Sequence, residues 1–567
     1  MTLSFDAACE AVTAPGQMFA LVDAEIRGRT YRVFENAFPT LPAMFEMAAL
    51  RGEQTFLVYE DEAWTFEQVV AHGHSIAATL IEDLGVQKGD RVAIAMRNYP
   101  EWITSFVGIL AAGAVAVPLN GWWTGEELVY GLEDSGATVM IADPERLERV
   151  ADDLAGLGVT PVLARGRLEG VLAYDDVVAA RRPAPTVAIE PDDDATILYT
   201  SGTTGHPKGA VATHRSHTNA IFGYWCRATV HGTIQAANRP EKDSSERDGD
   251  AAAPGEAYIL TVPLFHVTGC VPVMLNAFGT GSKLVMMYRW DPRRALELVE
   301  RERVTVFVGV PTMVQDMLQC DDFDRFDTSS LKSIGGGGAP AAPDLVRRVE
   351  KSFRGSPGIG YGMTETTAYG PQNVGGDYLE KPTSAGRAVP VMRVGIFDGH
   401  GNEVPVGNQG EICFYGPNII REYWNKPEAN AEAFFDGWFR SGDIGRLDDE
   451  GFVYVEDRAK DVVIRAGENI GCIEVEAVIA ELPAVYEVAV FGLPHERLGE
   501  ELACAIYVRP GETLSAEEVQ LHVGEHLANF KIPTTIEFSP EMLPRSAQGK
   551  ILKREIRDRL AAERATA

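Results

Sequence analysis

The sequence predicts a layered α/β fold with parallel sheets in a large N-terminal domain, followed by a small C-terminal α+β domain. Three observations predict it. Strand-like and helix-like segments alternate in βαβ order. The chain has 567 residues, of which 45% are hydrophobic, enough to bury more than one core. A boundary near Asp457-Arg-Ala-Lys-Asp461 is followed by a second, smaller α/β pattern over roughly the last hundred residues.

Arg91 to Met96 reads as a strand, Glu101 to Ala112 as an amphipathic helix and Ala114 to Val117 as the next strand. Ala195 to Thr200 and Gly209 to Thr213 read as two short strands joined by a loop. Another unit opens at Val304-Thr-Val-Phe-Val308, before Pro311. Between them, residues 228–256 turn polar and charged, as in Arg239-Pro-Glu-Lys-Asp-Ser-Ser-Glu-Arg-Asp-Gly-Asp250, and read as a solvated insertion. The C-terminal part patterns as a helix from Ile473 to Leu482, strands at Val485 to Phe491 and Leu502 to Val508, and a helix from Ala516 to Leu527. This divides the chain into a large domain over 1–457, a hinge at 458–460 and a lid over 461–567.

Composition excludes several classes. No apolar run of about 18 residues appears, and the N-terminus has neither the basic start nor the apolar run of a signal peptide, so a cytoplasmic location is the default expectation. The seven cysteines show no C-x-x-C pair and no metal-ligand spacing with histidine, which indicates neither a disulfide framework nor a zinc site. With 51 basic against 82 acidic residues the net charge is −31, which argues against nucleic acid or an anionic membrane as partner. Small molecules are the expected partners, and a homodimer is left open.

The most informative segment is Leu198-Tyr-Thr-Ser-Gly-Thr-Thr-Gly-His-Pro-Lys-Gly209. Thr200, Ser201, Thr203 and Thr204 bring hydroxyls, Gly202 and Gly205 let backbone N–H groups turn toward phosphate oxygens, and Lys208 adds a mobile charge. The loop joins strands and lacks the Gly-Lys-Ser/Thr order of a Walker loop, so a P-loop phosphotransferase fits poorly. Gly360-Tyr-Gly-Met-Thr-Glu-Thr366 adds a hydroxyl and a carboxylate beside glycines, a set suited to nucleotide phosphate and Mg²⁺.

These segments resemble the adenylate-forming superfamily, which holds acyl-CoA synthetases, luciferases and peptide-synthetase adenylation domains. The resemblance covers about residues 40 to 560 and is closest to fatty-acid–CoA ligases. It implies a β-barrel-like subdomain in the large domain and a mobile lid. It also implies roles: Thr364 on the α-phosphate, Glu365 with Thr204 as candidate Mg²⁺ ligands, and adenine held between Gly338-Ala339-Pro340 and Tyr361-Gly362-Met363. Trp438-Phe-Arg-Ser-Gly-Asp443 resembles the ribose motif, with Asp443 as acceptor for both hydroxyls and Arg458 as its helper. Lys460 falls at the hinge position. Pro544-Arg-Ser-Ala-Gln-Gly-Lys550 resembles the terminal motif whose lysine enters the active site, with Ser546 in place of the commoner threonine. A cation suits Lys550's position because the attacking carboxylate and the α-phosphate are both negative.

Leu264-Phe-His-Val-Thr-Gly269 matches a segment between nucleotide and acyl pocket, which makes His266 a positioning group. Tyr224, Val267, Thr268, Val308, Gly309, Gly336, Gly337, Gly360 and Met363 complete the expected pocket. Its glycines favour a sizeable apolar acid. Ala466, Gly467 and Glu468 are the expected contacts to CoA, although Cys472 stands where the family commonly has proline.

The implied reaction is carboxylate plus ATP·Mg²⁺ to acyl-AMP and pyrophosphate, then thioester formation with CoA and release of AMP. The expected substrate is a medium- or long-chain fatty acid, with an aryl or polycyclic, steroid-type acid as the alternative. An acyl-AMP ligase loading a carrier protein, an amino-acid adenylation enzyme and a luciferase-like oxygenase are rivals. A non-catalytic binding protein on this fold would have lost Thr364, Glu365, Asp443 or Lys550, and all four are present.

Overall fold

Alternation along single strands sets the architecture. In Arg91–Ala95, Val92 and Ile94 enter the main core while Ala93 and Ala95 enter a second one on the opposite face, so the sheet is covered on both sides. The computed structural model describes residues 3–200, 207–238, 255–338, 341, 343–353, 355–458, 463–465, 468–495, 499–546 and 550–566.

Two large sheets form the body. The first is ordered Glu422–Tyr423, Lys208–Thr213, Asp194–Thr200, Val115–Pro118, Arg91–Ala95, Val139–Ala142, Thr160–Leu163 and Leu172–Ala173. The second runs Gln372–Val374, Ser356–Gly360, Ser333–Gly337, Val306–Gly309, Ala257–Leu260, Lys283–Met286, Thr55–Tyr59 and Glu62–Thr65. Both are parallel at the centre; the first has antiparallel strands at one edge, and the second at both. Helices Phe66–Glu82 and Pro100–Ala111 bury most of their length in the main core. They approach so closely that a methyl group on Gly73 would stand 2.5 Å from Val107 and one on Gly108 2.6 Å from Ile76, so only glycine fits at this crossing.

The elements expected around residues 91–117 appear as Arg91–Ala95, Pro100–Ala111 and Val115–Pro118. The two short strands expected around the loop over 201–207 form an antiparallel pair, with Thr200 opposite Lys208. Helix His214–Ala237 runs into the stretch read as a polar insertion: Val230 is buried, and the Thr229 and Thr233 hydroxyls donate to the carbonyls of Trp225 and Thr229. Helical back-bonding thus absorbs polarity that read as loop. Residues 239–254 lie outside the described residues.

A five-stranded antiparallel sheet follows, in which the long strand Trp438–Leu447 pairs with Gly410–Tyr415, Phe434–Phe435 and Val453–Arg458. The lid has its own sheet. One face packs on helices Cys472–Ile479 and Ala516–His526 through Val475, Ile479, Val519 and Val523, and the other on Leu543 and Ile556, the latter from helix Lys553–Thr566. Among the described residues no helix is long and apolar enough to cross a membrane.

Candidate active site

Parallel pairing brings the C-terminal ends of three glycine-bearing strands of the second sheet side by side. Gly309 lies beside Gly336, and Gly337 beside Gly360. A methyl group on Gly336, Gly337 or Gly360 would come no closer than 3.4 Å to any other part of the protein. Their lack of side chains therefore leaves open space above a floor of backbone. Val308 is half-buried at this floor, and Val267 is buried in the main core.

The segment after Gly360 is a tight, strained turn. Met363 N–H donates to the Thr366 hydroxyl at 3.1 Å, Thr364–Thr366 forms a 3₁₀ turn, and Thr367 and Ala368 take left-handed backbone angles of 52° and 58°. Surrounding bonds hold this strain: the Asn418 amide donates to the Thr366 and Tyr369 carbonyls, and the Thr367 hydroxyl donates to the Asn418 carbonyl at 2.7 Å. Gly362 is required here, because a methyl group on it would stand 2.6 Å from the Ala368 carbonyl oxygen.

This turn presents Glu365 to Tyr423, beside the hairpin strand that carries Lys208. The Tyr423 hydroxyl donates to Glu365 Oε1 at 2.7 Å, and the Lys208 ammonium lies 4.2 Å from the centre of the Tyr423 ring. Burial first, and the Glu365 charge second, push the Tyr423 hydroxyl above its ordinary range, so it stays a donor. One residue run thus joins Thr364, Glu365, Tyr423 and Lys208.

Tyr361 points the other way along the same turn. Its hydroxyl donates to Asp443 Oδ2 at 2.6 Å, and Asp443, 7% exposed, faces Arg458 across the antiparallel pair. A buried carboxylate that accepts from a tyrosine is an acceptor held in place for further donors.

The lid closes the site from above. A methyl group on Gly338, itself at φ +77°, would lie 3.4 Å from Lys550 Cε and 4.0 Å from Nζ. The Lys550 loop is closed by Ser546 N–H to the Lys550 carbonyl at 2.8 Å and by Lys550 N–H to the Ser546 hydroxyl at 3.3 Å. The buried Glu487 anchors its base, accepting from Leu543 N–H at 2.9 Å and pairing with Arg545 at 2.5 Å. Next to Glu487, the Tyr486 hydroxyl donates to Asp316 Oδ1 of the body at 2.9 Å, while the Trp290 indole holds the other Asp316 oxygen at 2.9 Å.

His266 lies within electrostatic reach of this lysine. Burial, and then the Lys550 charge, lower its pKa to about 3, so the ring is neutral. Its Nδ1 accepts from Thr268 N–H at 3.2 Å, which puts the ring proton on Nε2. The segment is clamped from helix Pro100–Ala111's approach, where Asn98 donates to the Val262 carbonyl at 3.1 Å and accepts from Leu264 N–H at 2.9 Å. A neutral, oriented imidazole donates a hydrogen bond and does not serve as a titrating base.

Tyr224 donates to the Ala368 carbonyl at 2.6 Å and packs edge-on against Tyr369, behind the turn. Ser201, Gly202, Thr203, Thr204, Gly205, Ala339, Pro340, Lys460, Ala466 and Gly467 lie outside the described residues, as do the side chains of Arg458 and Glu468.

Several site-forming residues escaped sequence reasoning: Tyr423, Asn98, Asn418, and the lid's Tyr486 with Asp316. Tyr423 lies far along the chain, on the edge strand Glu422–Tyr423, and the signal available was an aromatic pair, Tyr423-Trp424, following Arg421-Glu422. Asn98 and Asn418 act on backbone groups remote in sequence, which no local pattern announces.

Two parallel-sheet layers, a glycine floor, a strained turn and a lid that inserts a lysine define a two-domain adenylate-forming enzyme. The AMP-binding enzyme family pattern matches residues 44–424, and the AMP-binding enzyme C-terminal domain matches residues 474–550. The chain belongs to this family and is an AMP-forming acid–thiol ligase. It is 35% identical to the long-chain-fatty-acid–CoA ligase FadD13 of Mycobacterium tuberculosis, over 88% of this chain and 94% of that protein. It is 36% identical to a feruloyl-CoA synthase of an Amycolatopsis species, over 84% of this chain and 90% of the relative. Among solved structures, that of the anthranilate CoA ligase AuaEII with anthranoyl-AMP is similar at a TM-score of 0.82, with 26% identity over 94% of this chain and 98% of that one.

Proposed function

We propose that this protein activates a medium- or long-chain fatty acid with ATP and transfers the acyl group to CoA. The observation that carries the reading is Lys550, delivered by the lid onto Gly338 beside His266, next to the Tyr361–Asp443 and Glu365–Tyr423–Lys208 groups.

In this reading Asp443, with Arg458, binds the ribose hydroxyls. Tyr361 and Gly338-Ala339-Pro340 enclose adenine, Thr364 meets the α-phosphate, and the Thr200 to Lys208 loop takes the β- and γ-phosphates. Glu365 has one oxygen held by Tyr423, and its carboxylate is the hard oxygen donor that Mg²⁺ accepts. With Thr204 as a further candidate ligand, the bound ion would supply charge neutralisation at the phosphates.

The acid's carboxylate oxygen attacks the α-phosphorus, the bond to the bridging oxygen breaks, and pyrophosphate leaves. Lys550 bridges the two anions during that step, and the His266 Nε2–H donates toward the carboxylate. In the second step the CoA sulfur attacks the acyl carbonyl, losing its proton, and AMP leaves. Rotation of the lid about Lys460 would withdraw Lys550 and present Ala466, Gly467 and Glu468 to the pantetheine arm. The open glycine floor and the likeness to FadD13 support a long apolar acid. The enzyme would work in the cytoplasm.

A second reading, an aryl acid, is favoured by Tyr224 and Tyr369 behind the turn and by the likeness to a feruloyl-CoA synthase and an anthranilate CoA ligase. The test is AMP and pyrophosphate release with fatty, aryl and polycyclic acids, each with and without CoA. CoA-dependent turnover on fatty acids is expected. Turnover confined to aryl or polycyclic acids selects the alternative, and adenylation without transfer to CoA replaces the reading by a carrier-loading enzyme.

A further inference from the structure

On the outer side of the lid, away from the Lys550 loop, a side-chain cluster has no part in the reaction above. We propose that Glu481, His522 and His526 form a binding site for a divalent transition-metal ion of the zinc class.

His522 and His526 are four apart on helix Ala516–His526 and so share one face. Their ring centres are 4.5 Å apart. Glu481 arrives from the turn after helix Cys472–Ile479, beside the His522 ring. One ligand atom from each of the three residues lies within 4.8 Å of the others. Ligands at ~2.1 Å from a tetrahedral ion stand roughly 3.4 Å apart, so a small rotation of the exposed Glu481 and His526 side chains about the half-buried His522 closes the set.

The outer bonds suit ligation. His526 Nδ1 is 2.8 Å from the His522 carbonyl and His522 Nε2 is 3.1 Å from the Val478 carbonyl. A carbonyl accepts, so each of these nitrogens is the protonated one, and each ring keeps a lone pair on the other. Metal-bound histidines carry this kind of outer bond. Imidazole donors select zinc-like ions over Mg²⁺ or Ca²⁺, which separates this site from the nucleotide's ion. Glu518 and Glu525 line a shallow cavity of about 380 Å³ that includes His522, and their charges favour a cation there.

The site joins helix Cys472–Ile479 to helix Ala516–His526, both on the lid face opposite Leu543 and Ile556. A bound ion would therefore staple the outer layer of the lid without touching Lys550.

The test uses the full chain, stripped with chelator, then titrated with Zn²⁺ by calorimetry and with Co²⁺ by visible absorption. The comparison variants are His526→Ala and Glu481→Gln, both at exposed positions whose loss buries no unpaired group. The expected result is one ion per chain, at least roughly tenfold weaker in His526→Ala, with a Zn²⁺-dependent rise in melting temperature that this variant loses. Equal affinity in wild type and His526→Ala, or no binding by the wild type at 0.1 mM Zn²⁺ (about the weakest affinity a built site would show), overturns the proposal.

Discussion

The body and the lid contribute to the same site by different physical means. The body's half is made of strand ends and a strained turn, held by bonds such as Asn418 to the Thr366 carbonyl and Tyr361 to Asp443. The lid's half is a lysine on a short loop, docked through Tyr486 to Asp316 and a long contact from Gln315 to the Tyr486 carbonyl. Single hydrogen bonds of this kind contribute about 0.5–1.5 kcal/mol each. If the C-terminal domain moves as proposed, contacts of this size are ones that substrate and product could shift.

Removal of the lid's cation gives the largest expected separation of the halves. Lys550→Ala is expected to slow acyl-AMP formation by about 10²–10³-fold, as for loss of one preorganised transition-state donor. Thioester formation from supplied acyl-AMP should be retained. Pyrophosphate-exchange and thioester assays run in parallel check this, and equal loss in both would break the division of labour.

Acid should act on the body. His214 accepts from Leu41 N–H at 3.3 Å, and His217 lies 2.9 Å from the Thr196 hydroxyl. Burial lowers their pKa values to about 4 and about 3. The unfolded chain binds these protons near pH 6.5 and the folded chain does not, so stability is full above pH 6.5 and falls as pH drops toward 4. Two such histidines amount to about 3 kcal/mol between pH 7.5 and 5.5. Denaturant midpoints at the two pH values measure it, and a His217→Gln variant should show a shallower dependence.

The same contrast explains what was legible in the sequence. Local groups were: the hairpin around Lys208, the turn carrying Thr364 and Glu365, and the lid elements from Cys472 to His526 all follow from neighbours in the chain. Residues that act across long sequence separations were not. Tyr423 reaches Glu365, Asn98 clamps the His266 segment, and Tyr486 finds Asp316 only after folding. Helix His214–Ala237 also runs into the stretch read as a polar insertion, because threonine back-bonding hides polarity from a pattern reader. The roles assigned to Ser201 through Gly205 and to Lys460 rest on resemblance.

Two smaller changes sharpen the comparison from either side. Gly362→Ala would press a methyl group against the Ala368 carbonyl, where backbone cannot yield cheaply; a cost of about 1–3 kcal/mol is expected. Since the proposed mechanism uses the turn in both steps, both half-reactions should slow together. Tyr486→Phe removes one lid-to-body bond and leaves its ring packed on Tyr507. Adenylation should fall by about two- to tenfold, with thioester formation from supplied acyl-AMP unchanged or faster, because a looser lid disfavours only the position that delivers Lys550. An Asp316→Asn variant, which keeps a side-chain oxygen able to accept from the tyrosine, should lie between wild type and Tyr486→Phe. If Tyr486→Phe slowed both steps alike, the contact would be a structural bond within one rigid unit, and the contrast between a fixed body and a docked lid would fail.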